Sequence, residues 1–297
     1  MTGDSNNLLS ELTIWIRKEP KVKAAILFGS SAGKVGLNDF ADQWSDIDLH
    51  VITTSPKAIE EIDWSQVIHS ETFCLKIIRP ATAGMRKVTV LFDCGQIDMV
   101  LVPASRLNLA RLASLLGLHK RIPSLRIALN EIHTCIRSGY IFLKGERKWG
   151  AFYSLAMNKM PGVRLSDTEI LNLAEVFLCD LLWIMQKLER GEIAAAQHIL
   201  HKTLAETNFR LLRELRLRRD QPLLSFGIAR RVETFLSYPQ LSWVQVSARL
   251  DCEEIRRASW FALEGLKGLI NELIPEWTIP NKVIRLISKY SKARVDT

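Results

Sequence analysis

Two aspartates at the start of an apolar run are the residues best suited to chemistry in this sequence. Asp46 and Asp48 open the run 46–53 and are separated by Ile47. Because successive side chains of a strand point to opposite faces, both carboxylates are predicted to share one face. Neighbouring carboxylates repel each other unless a cation lies between them. Magnesium, which favours a few carboxylates together with substrate phosphates, is the predicted occupant.

A glycine–serine pair precedes these aspartates. Gly29 and Ser30 end the apolar run 24–30, and fifteen residues separate Ser30 from Asp46. Glycine has no Cβ and lets the backbone approach a bulky anion. The serine hydroxyl and main-chain N–H can bind a phosphate, with help from a helix dipole if a helix begins there. Gly29 and Ser30 are therefore predicted to bind a nucleotide.

A third carboxylate lies about fifty residues further on. Asp98 sits within the apolar run 96–103, where burial of an unpaired carboxylate is costly. It is predicted to complete a two-metal arrangement with Asp46 and Asp48 and to accept a proton from an attacking hydroxyl. A solvated strand end is the ordinary interpretation of Asp-x-Asp alone, but the complete set is much harder to obtain by chance.

The predicted secondary structure that must position these residues differs between the first and the later part of the chain. Alternating apolar runs predict strands at 24–30 and 46–53 and a hairpin of 86–93 with 96–103, together with helices at 8–17 and 58–67. Later, helical spacing dominates. We predict an α/β domain at 1–110 and an α-helical domain at 111–297, with helices near 104–117, 123–143, 147–158, 166–190, 192–219, 224–237, 250–273 and 281–292.

Composition narrows the class of protein. The chain has 297 residues and a net charge of +8, with −3 in residues 1–105 and +11 in residues 106–297. This asymmetry fits carboxylates that hold metal and cations that hold phosphates, and it fits a nucleic-acid-binding domain equally well. No apolar stretch is long enough for a membrane span and no secretory signal is evident, so we expect no membrane partner and a cytoplasmic location. The five scattered cysteines form no CxxC pair.

The glycine–serine turn, the Asp-x-Asp pair and the distant third aspartate together resemble the nucleotidyltransferase superfamily of the DNA polymerase beta type. Within it, the chain is most similar to the streptomycin-type aminoglycoside 6-adenylyltransferases. The similarity extends over the domain order, the length and three local strings: VTVLFDCGQIDMVLVP (88–103), the helical stretch 177–215 with Asp180 three residues before Trp183, and SWFALEGL (259–266). The long spacer, Ser31 after the glycine–serine pair and Cys94 in the hairpin depart from the family pattern.

The resemblance implies a mixed sheet with flanking helices followed by a helical bundle, with Mg²⁺ and ATP as cosubstrates. AMP would pass to a hydroxyl and pyrophosphate would be released. These roles carry over onto Gly29, Ser30, Asp46, Asp48 and Asp98. Asp180 is assigned, less specifically, to the substrate, with a salt bridge to a neighbouring helix as the equal alternative.

Lys202 is a candidate for the triphosphate, although a solvated position is the ordinary interpretation of a helical lysine.

Three alternatives for the function follow, and the first two differ in the acceptor. The first is an aminoglycoside, a polycation that a protein at +8 repels at long range, unless a local pocket of Asp39, Asp42, Asp98 and Asp180 attracts it. The second is a nucleic acid or a protein that binds the basic helical domain. The third is a non-catalytic binding protein, which the three carboxylates argue against. Either a monomer or a homodimer is compatible with the sequence.

Overall fold

The computed structural model describes residues 4–32, 45–81, 84–137, 139–159, 164–219 and 236–291. The chain forms two compact units, Met1–Gly162 and Val163–Thr297. The first contains a mixed six-stranded sheet with helices, and the second is largely helical. Asp39 and Asp42, and residues 224–235 of the predicted helix 224–237, lie outside the described residues.

The sheet of the first unit has the strand order β3-β4-β5-β2-β1-β6. Strands β2 and β5 are parallel, and every other neighbouring pair is antiparallel. The sheet is therefore mixed, as the sequence predicts. Its strands are β1 (Val22–Phe28), β2 (Ile47–Thr53), β3 (Phe73–Pro80), β4 (Arg86–Phe92), β5 (Gly95–Pro103) and β6 (Tyr140–Lys144).

Helices pack on both faces of this sheet. Leu8, Leu12 and Ile16 of the first helix join the core on one face, together with Ile59 of the second. Leu129 and Trp149 contribute to the core on the other face. Burial on both faces explains why the central strands are almost uniformly apolar. The helices are α1 (Asp4–Lys18), α2 (Pro56–Glu60), α3 (Ala104–Leu115), α4 (Pro123–Ile136) and α5 (Glu146–Lys159).

Strand β6 corrects the helix predicted at 123–143. Helix α4 ends at Ile136, and Tyr140–Lys144 instead pairs antiparallel with β1. The free edge of β1 supplies hydrogen-bond partners that a longer helix would not use. Gly145 then turns the chain at φ +82, where a Cβ would lie 2.5 Å from the main-chain oxygen of Lys23. The domain border near residue 110 stays a prediction; that residue lies within α3, and β6 belongs to the sheet of the first unit.

The second unit buries its own apolar core between helices. Its described helices are α6 (Asp167–Glu189), α7 (Ile193–Ile199), α8 (Ala205–Arg218), α9 (Tyr238–Val244), α10 (Cys252–Leu273) and α11 (Asn281–Ser291). Ser166 and Glu169 form a capping box that begins α6. The predicted helix 192–219 is present, but a π-helical segment, Leu200–Leu204, separates α7 from α8.

A buried amide ties three of these helices together. Asn208 of α8 is fully buried, and its Nδ2 donates hydrogen bonds of 2.9 Å to the carbonyl oxygens of Trp243 and Ala262. At Gly265 of α10, a Cβ would lie 2.2 Å from the same Trp243 oxygen. Among the helices that the structure describes, none is both long and apolar enough to cross a membrane.

Candidate active site

Parallel pairing places two of the predicted carboxylates side by side. Asp48 of β2 is the register partner of Asp98 of β5. Neighbouring strands lie about 4.8 Å apart, and register partners present their side chains on the same face. Asp46 lies two residues before Asp48, immediately ahead of β2. The three aspartates that the sequence singles out therefore lie toward the same end of the β2–β5 pair.

The glycine–serine turn packs directly against this pair of aspartates. Phe28, the last residue of β1, is the register partner of Asp48, and the short 3₁₀ turn Gly29–Ala32 follows it. Gly29 has φ +77, and a Cβ there would lie 2.7 Å from Oδ2 of Asp48. Ser31 Oγ donates a hydrogen bond of 2.9 Å to the carbonyl oxygen of Asp46. Only glycine fits this position without displacing the carboxylate.

Asp98 is held by side chains of the neighbouring strand β4. It is buried, and Thr89, its register partner, donates a hydrogen bond of 2.6 Å to its Oδ1. The ammonium of Lys87 lies 2.5 Å from its Oδ2. Arg79 of β3 donates from Nη2 to the Thr89 hydroxyl at 3.0 Å, which leaves the hydroxyl proton for Asp98. Both carboxylate oxygens of Asp98 are thus engaged.

Lys87 and Thr89 do not appear among the site residues predicted from the sequence. A signal for them exists in the predicted hairpin, since a tight turn fixes which residues of its two strands face each other. With the turn at Asp93 and Cys94, Thr89 falls opposite Asp98, and Lys87 lies two residues away on the same face. The identity of the hydrogen-bond partners still requires side-chain positions.

A buried histidine and tyrosine lie behind the carboxylates on the same face of the sheet. His50 follows Asp48 by two residues, its ring centroid lies 4.4 Å from that of Phe28, and its Nδ1 is 3.2 Å from the hydroxyl of Tyr153. Burial lowers the pKa of His50 to about 4 and raises the pKa of Tyr153. Both side chains are consequently neutral near pH 7, and they add no charge beside the aspartates.

The charged residues of the site affect the pKa of a thiol on helix α4. Burial raises the pKa of the Cys135 thiol to about 11, and the negative charge of Asp48 raises it further. The positive charge of Lys87 acts on the same thiol in the opposite direction. The pKa of this thiol therefore reflects its burial first and the charges around it second.

The donor set suits a hard divalent cation at Asp46 and Asp48. Both offer carboxylate oxygens, the ligands that Mg²⁺ prefers. The missing Cβ of Gly29 also leaves room beside Oδ2 of Asp48, since any other side chain would meet that oxygen. On Asp98, the ammonium of Lys87 contacts Oδ2. A metal ion would have to compete with that ammonium for the same oxygen.

Two further predicted residues belong to the second unit. Asp180 lies on α6 and is half-buried, and Trp183, one turn later, is 49% exposed. Lys202 is exposed and lies in the π-helical segment. Such segments frequently occur at functional positions, but their presence does not assign a ligand. The roles of Asp180 and Lys202 remain predictions.

Comparison with known proteins gives structural matches only. No family model matches the chain, and no curated protein matches it. Among the solved structures that match, two crystal structures are covered over most of their length. An aminoglycoside 6-adenyltransferase from Bacillus subtilis is 11% identical, with 96% of this chain and 95% of that chain covered and a TM-score of 0.38. A nucleotidyltransferase-like protein from Exiguobacterium sibiricum 255-15 is 12% identical, with 97% and 87% covered and a TM-score of 0.27.

Proposed function

We propose that the protein is a magnesium-dependent nucleotidyltransferase that moves AMP from ATP to a hydroxyl of a small molecule. The acceptor proposed is an aminoglycoside of the streptomycin type. Asp46, Asp48 and Asp98 are the proposed catalytic residues, and Gly29, Ser30 and Lys202 are proposed to bind the nucleotide. Asp180 is proposed to bind the acceptor.

One observation carries the proposal. Asp48 and Asp98 face each other across a parallel strand pair, and the turn that contains Gly29 packs on Asp48. Carboxylate oxygens at this spacing are ligands that a divalent cation prefers, and a glycine-led turn beside them gives a polyphosphate close access to the main chain. Magnesium with a nucleoside triphosphate suits both features.

The reaction follows from these positions. The acceptor oxygen attacks the α-phosphorus of ATP, and a new O–P bond forms as the bond from that phosphorus to the bridging oxygen of the β-phosphate breaks. The electron pair leaves with pyrophosphate, and the hydroxyl proton passes to the carboxylate of Asp98. Bound magnesium supplies charge stabilisation to the transferred phosphoryl group. Ser30, in the same turn as Gly29, offers its hydroxyl and N–H to the phosphates.

The acceptor class rests on the family resemblance and on local charge. Asp180 supplies a half-buried carboxylate for an amine or a guanidinium group. The alternative acceptor is a nucleic acid or a protein, which the excess of 30 basic over 19 acidic residues in residues 106–297 favours.

The test uses the complete chain with magnesium, ATP labelled at the α-phosphate, and a panel of aminoglycosides that includes streptomycin. Pyrophosphate release and transfer of label are followed together. Asp48→Asn is expected to reduce turnover roughly 10³-fold or more, because it removes a charged metal ligand that supplies several kcal/mol. Asp63→Asn, which removes an acidic charge outside the carboxylate group, serves as the matched control.

The outcomes separate the parts of the proposal. Turnover with an aminoglycoside that is lost in Asp48→Asn and kept in Asp63→Asn supports the reaction and the acceptor together. Magnesium–ATP binding without turnover on any aminoglycoside discards this acceptor class, and RNA and protein acceptors are then tested. Calorimetry that detects no binding of magnesium–ATP would overturn the proposed function itself.

A further inference from the structure

A threonine of β4 supports the buried carboxylate of Asp98. The hydroxyl of Thr89 donates a hydrogen bond of 2.6 Å to Oδ1 of Asp98. Thr89 is only 2% exposed, and Asp98 is buried as well, so water has little access to this bond. A hydrogen bond to a carboxylate is stronger than one between neutral groups, and its loss inside a protein costs the desolvation of the acceptor. Thr89 therefore fixes the orientation of the Asp98 carboxylate.

Strand pairing brings this threonine and an arginine to the face of the sheet that carries Asp98. Thr89 is the register partner of Asp98, and Arg79 of β3 is the register partner of Lys87, two residues before Thr89. Register partners point to the same face of a sheet, and so do residues two apart in one strand. These four side chains therefore share one face. The support for Asp98 is built into the pairing of three strands.

The arginine sets the direction in which the threonine hydroxyl donates. Nη2 of Arg79 donates to Oγ1 of Thr89 at 3.0 Å. A guanidinium has donors only, so the threonine oxygen accepts from Arg79 and its single proton goes to Asp98. Hydrogen bonds in such a chain polarise one another, and each strengthens the next. Arg79 is itself exposed, and it acts on Asp98 through Thr89.

The second oxygen of Asp98 is shared with a partly exposed lysine. The ammonium of Lys87 lies 2.5 Å from Oδ2, and the Lys87 side chain is 30% exposed. A carboxylate oxygen has about two lone-pair sites, so Oδ2 keeps one for a further donor. With Oδ1 held by the buried threonine, Oδ2 is the oxygen that suits a hydroxyl donating its proton.

We propose that Thr89 is a positioning residue for the reaction, with Arg79 acting through it, and that together they hold Oδ2 of Asp98 toward the acceptor hydroxyl. This inference rests on the proposed function and deepens it, because it names the residues that prepare the proposed base. The proton leaves the acceptor oxygen for Oδ2 as the new O–P bond forms. A carboxylate that can turn away from the acceptor reacts more slowly, so loss of the threonine hydroxyl lowers kcat and leaves nucleotide binding unchanged.

The test measures kcat and KM of the complete chain with magnesium and ATP labelled at the α-phosphate. The acceptor is the one that the wild-type protein turns over, from a panel of aminoglycosides that includes streptomycin and of RNA with a free terminal hydroxyl. Thr89→Val keeps the shape of the side chain and removes the hydroxyl. It is expected to lower kcat roughly 10- to 100-fold, as loss of second-layer support does, with KM for ATP unchanged. Thr89→Ser keeps the hydroxyl and is expected to keep most of kcat.

Thr53→Val is the matched control, because it removes another buried hydroxyl from the same sheet. Thr53 ends β2, and its hydroxyl donates to the main-chain oxygen of Lys21 at 3.0 Å instead of to a carboxylate. Both valine variants are expected to lower the melting temperature, since each loses a buried hydrogen bond. Only Thr89→Val should also lower kcat.

Arg79→Met, made in the wild-type chain and in Thr89→Val, tests whether the arginine acts through the threonine. In the wild-type chain it is expected to lower kcat roughly 2- to 10-fold, the range for one ordinary hydrogen bond. In Thr89→Val it should have no further effect, because the hydroxyl that connects Arg79 to Asp98 is already missing.

The outcomes separate this inference from the proposed function. Wild-type kcat in a folded Thr89→Val, or an equal loss in Thr53→Val or Thr89→Ser, would overturn the inference and leave the proposed function intact. If Thr89→Val does not fold, Arg79→Met decides: the expected loss of kcat supports the inference, and wild-type kcat overturns it. If the wild-type protein transfers label to no acceptor of the panel, the proposed function fails and the inference fails with it.

Discussion

Replacement of Gly29 by alanine tests the packing of the turn against Asp48. The new Cβ would lie 2.7 Å from Oδ2 of Asp48, whereas ordinary contact begins at 3.4 Å. The difference, 3.4 − 2.7, requires the oxygen or the turn to move by about 0.7 Å. A misplacement of about 1 Å at a reacting centre can cost about 10²-fold. We therefore expect Gly29→Ala to weaken Mn²⁺–nucleotide binding by roughly 10- to 100-fold, as loss of support around a metal ligand does.

Backbone strain at Gly29 also changes the variant, and its effect must be separated from that of the contact between the new Cβ and Asp48. Gly29 has φ +77, and an alanine in this left-handed region costs about 1–2 kcal/mol. Gly117, in the same unit, has φ +71, and no atom of the described residues lies within 4 Å of the place its Cβ would take. Gly117→Ala therefore carries the same strain without the contact. Both variants are expected to lower the melting temperature by roughly 2–8 °C. Only Gly29→Ala should also lose metal–nucleotide affinity.

The assay pairs thermal unfolding, followed by circular dichroism, with a titration of Mn²⁺ in the presence of an ATP analogue that carries a methylene group between the α- and β-phosphates. Equal loss of affinity in the two variants would show that strain alone acts. Affinity within about threefold of the wild-type value in a folded Gly29→Ala would refute the contact argument, since roughly 10-fold is the smallest effect expected from the displacement.

Two further predictions concern stability. His50 has a pKa of about 4 in the folded chain against 6.5 in the unfolded chain, so the unfolded state takes up the proton first as pH falls. The free energy of unfolding should therefore fall by about 3 kcal/mol between pH 6.5 and pH 4, and His50→Gln should not show this fall. Urea titrations at several pH values measure the free energy of unfolding of both proteins. Parallel pH profiles for the two proteins would contradict the prediction. Asn208→Ala should destabilise the second unit by about 2–4 kcal/mol in urea unfolding, because a buried carbonyl group and a part-buried one lose their donor. A change below about 0.5 kcal/mol, which is typical of a surface substitution, would contradict that reasoning.

The sequence by itself determined the parts of the fold that depend on local pattern. The β4–β5 hairpin and the strand that begins at Asp46-Ile47-Asp48 follow from alternation of apolar residues and from a tight turn. The helices of the second unit follow from apolar spacing and from caps such as Ser166. An α/β domain followed by a largely helical region was therefore predictable from local pattern, whereas the mixed pairing of the sheet was implied by the family resemblance.

Pairing between strands that are distant in the sequence decided which further segments became strands. Tyr140–Lys144 has the apolar character of a buried helix as well as that of a strand, and the open edge of β1 selected the strand. Strand β3, which is absent from the strands predicted by apolar alternation, forms because β4 offers it a partner.

The candidate site shows the same division. Residue types and spacing predict Gly29, Asp46, Asp48 and Asp98 as members of one set, because their chemistry depends on what they are. Their register across β2 and β5 comes from parallel pairing of strands that lie about fifty residues apart in the chain. The contact of Lys87 with Asp98 was decided by tertiary structure alone, since a lysine in an exposed strand pattern has many possible partners and only packing selects one.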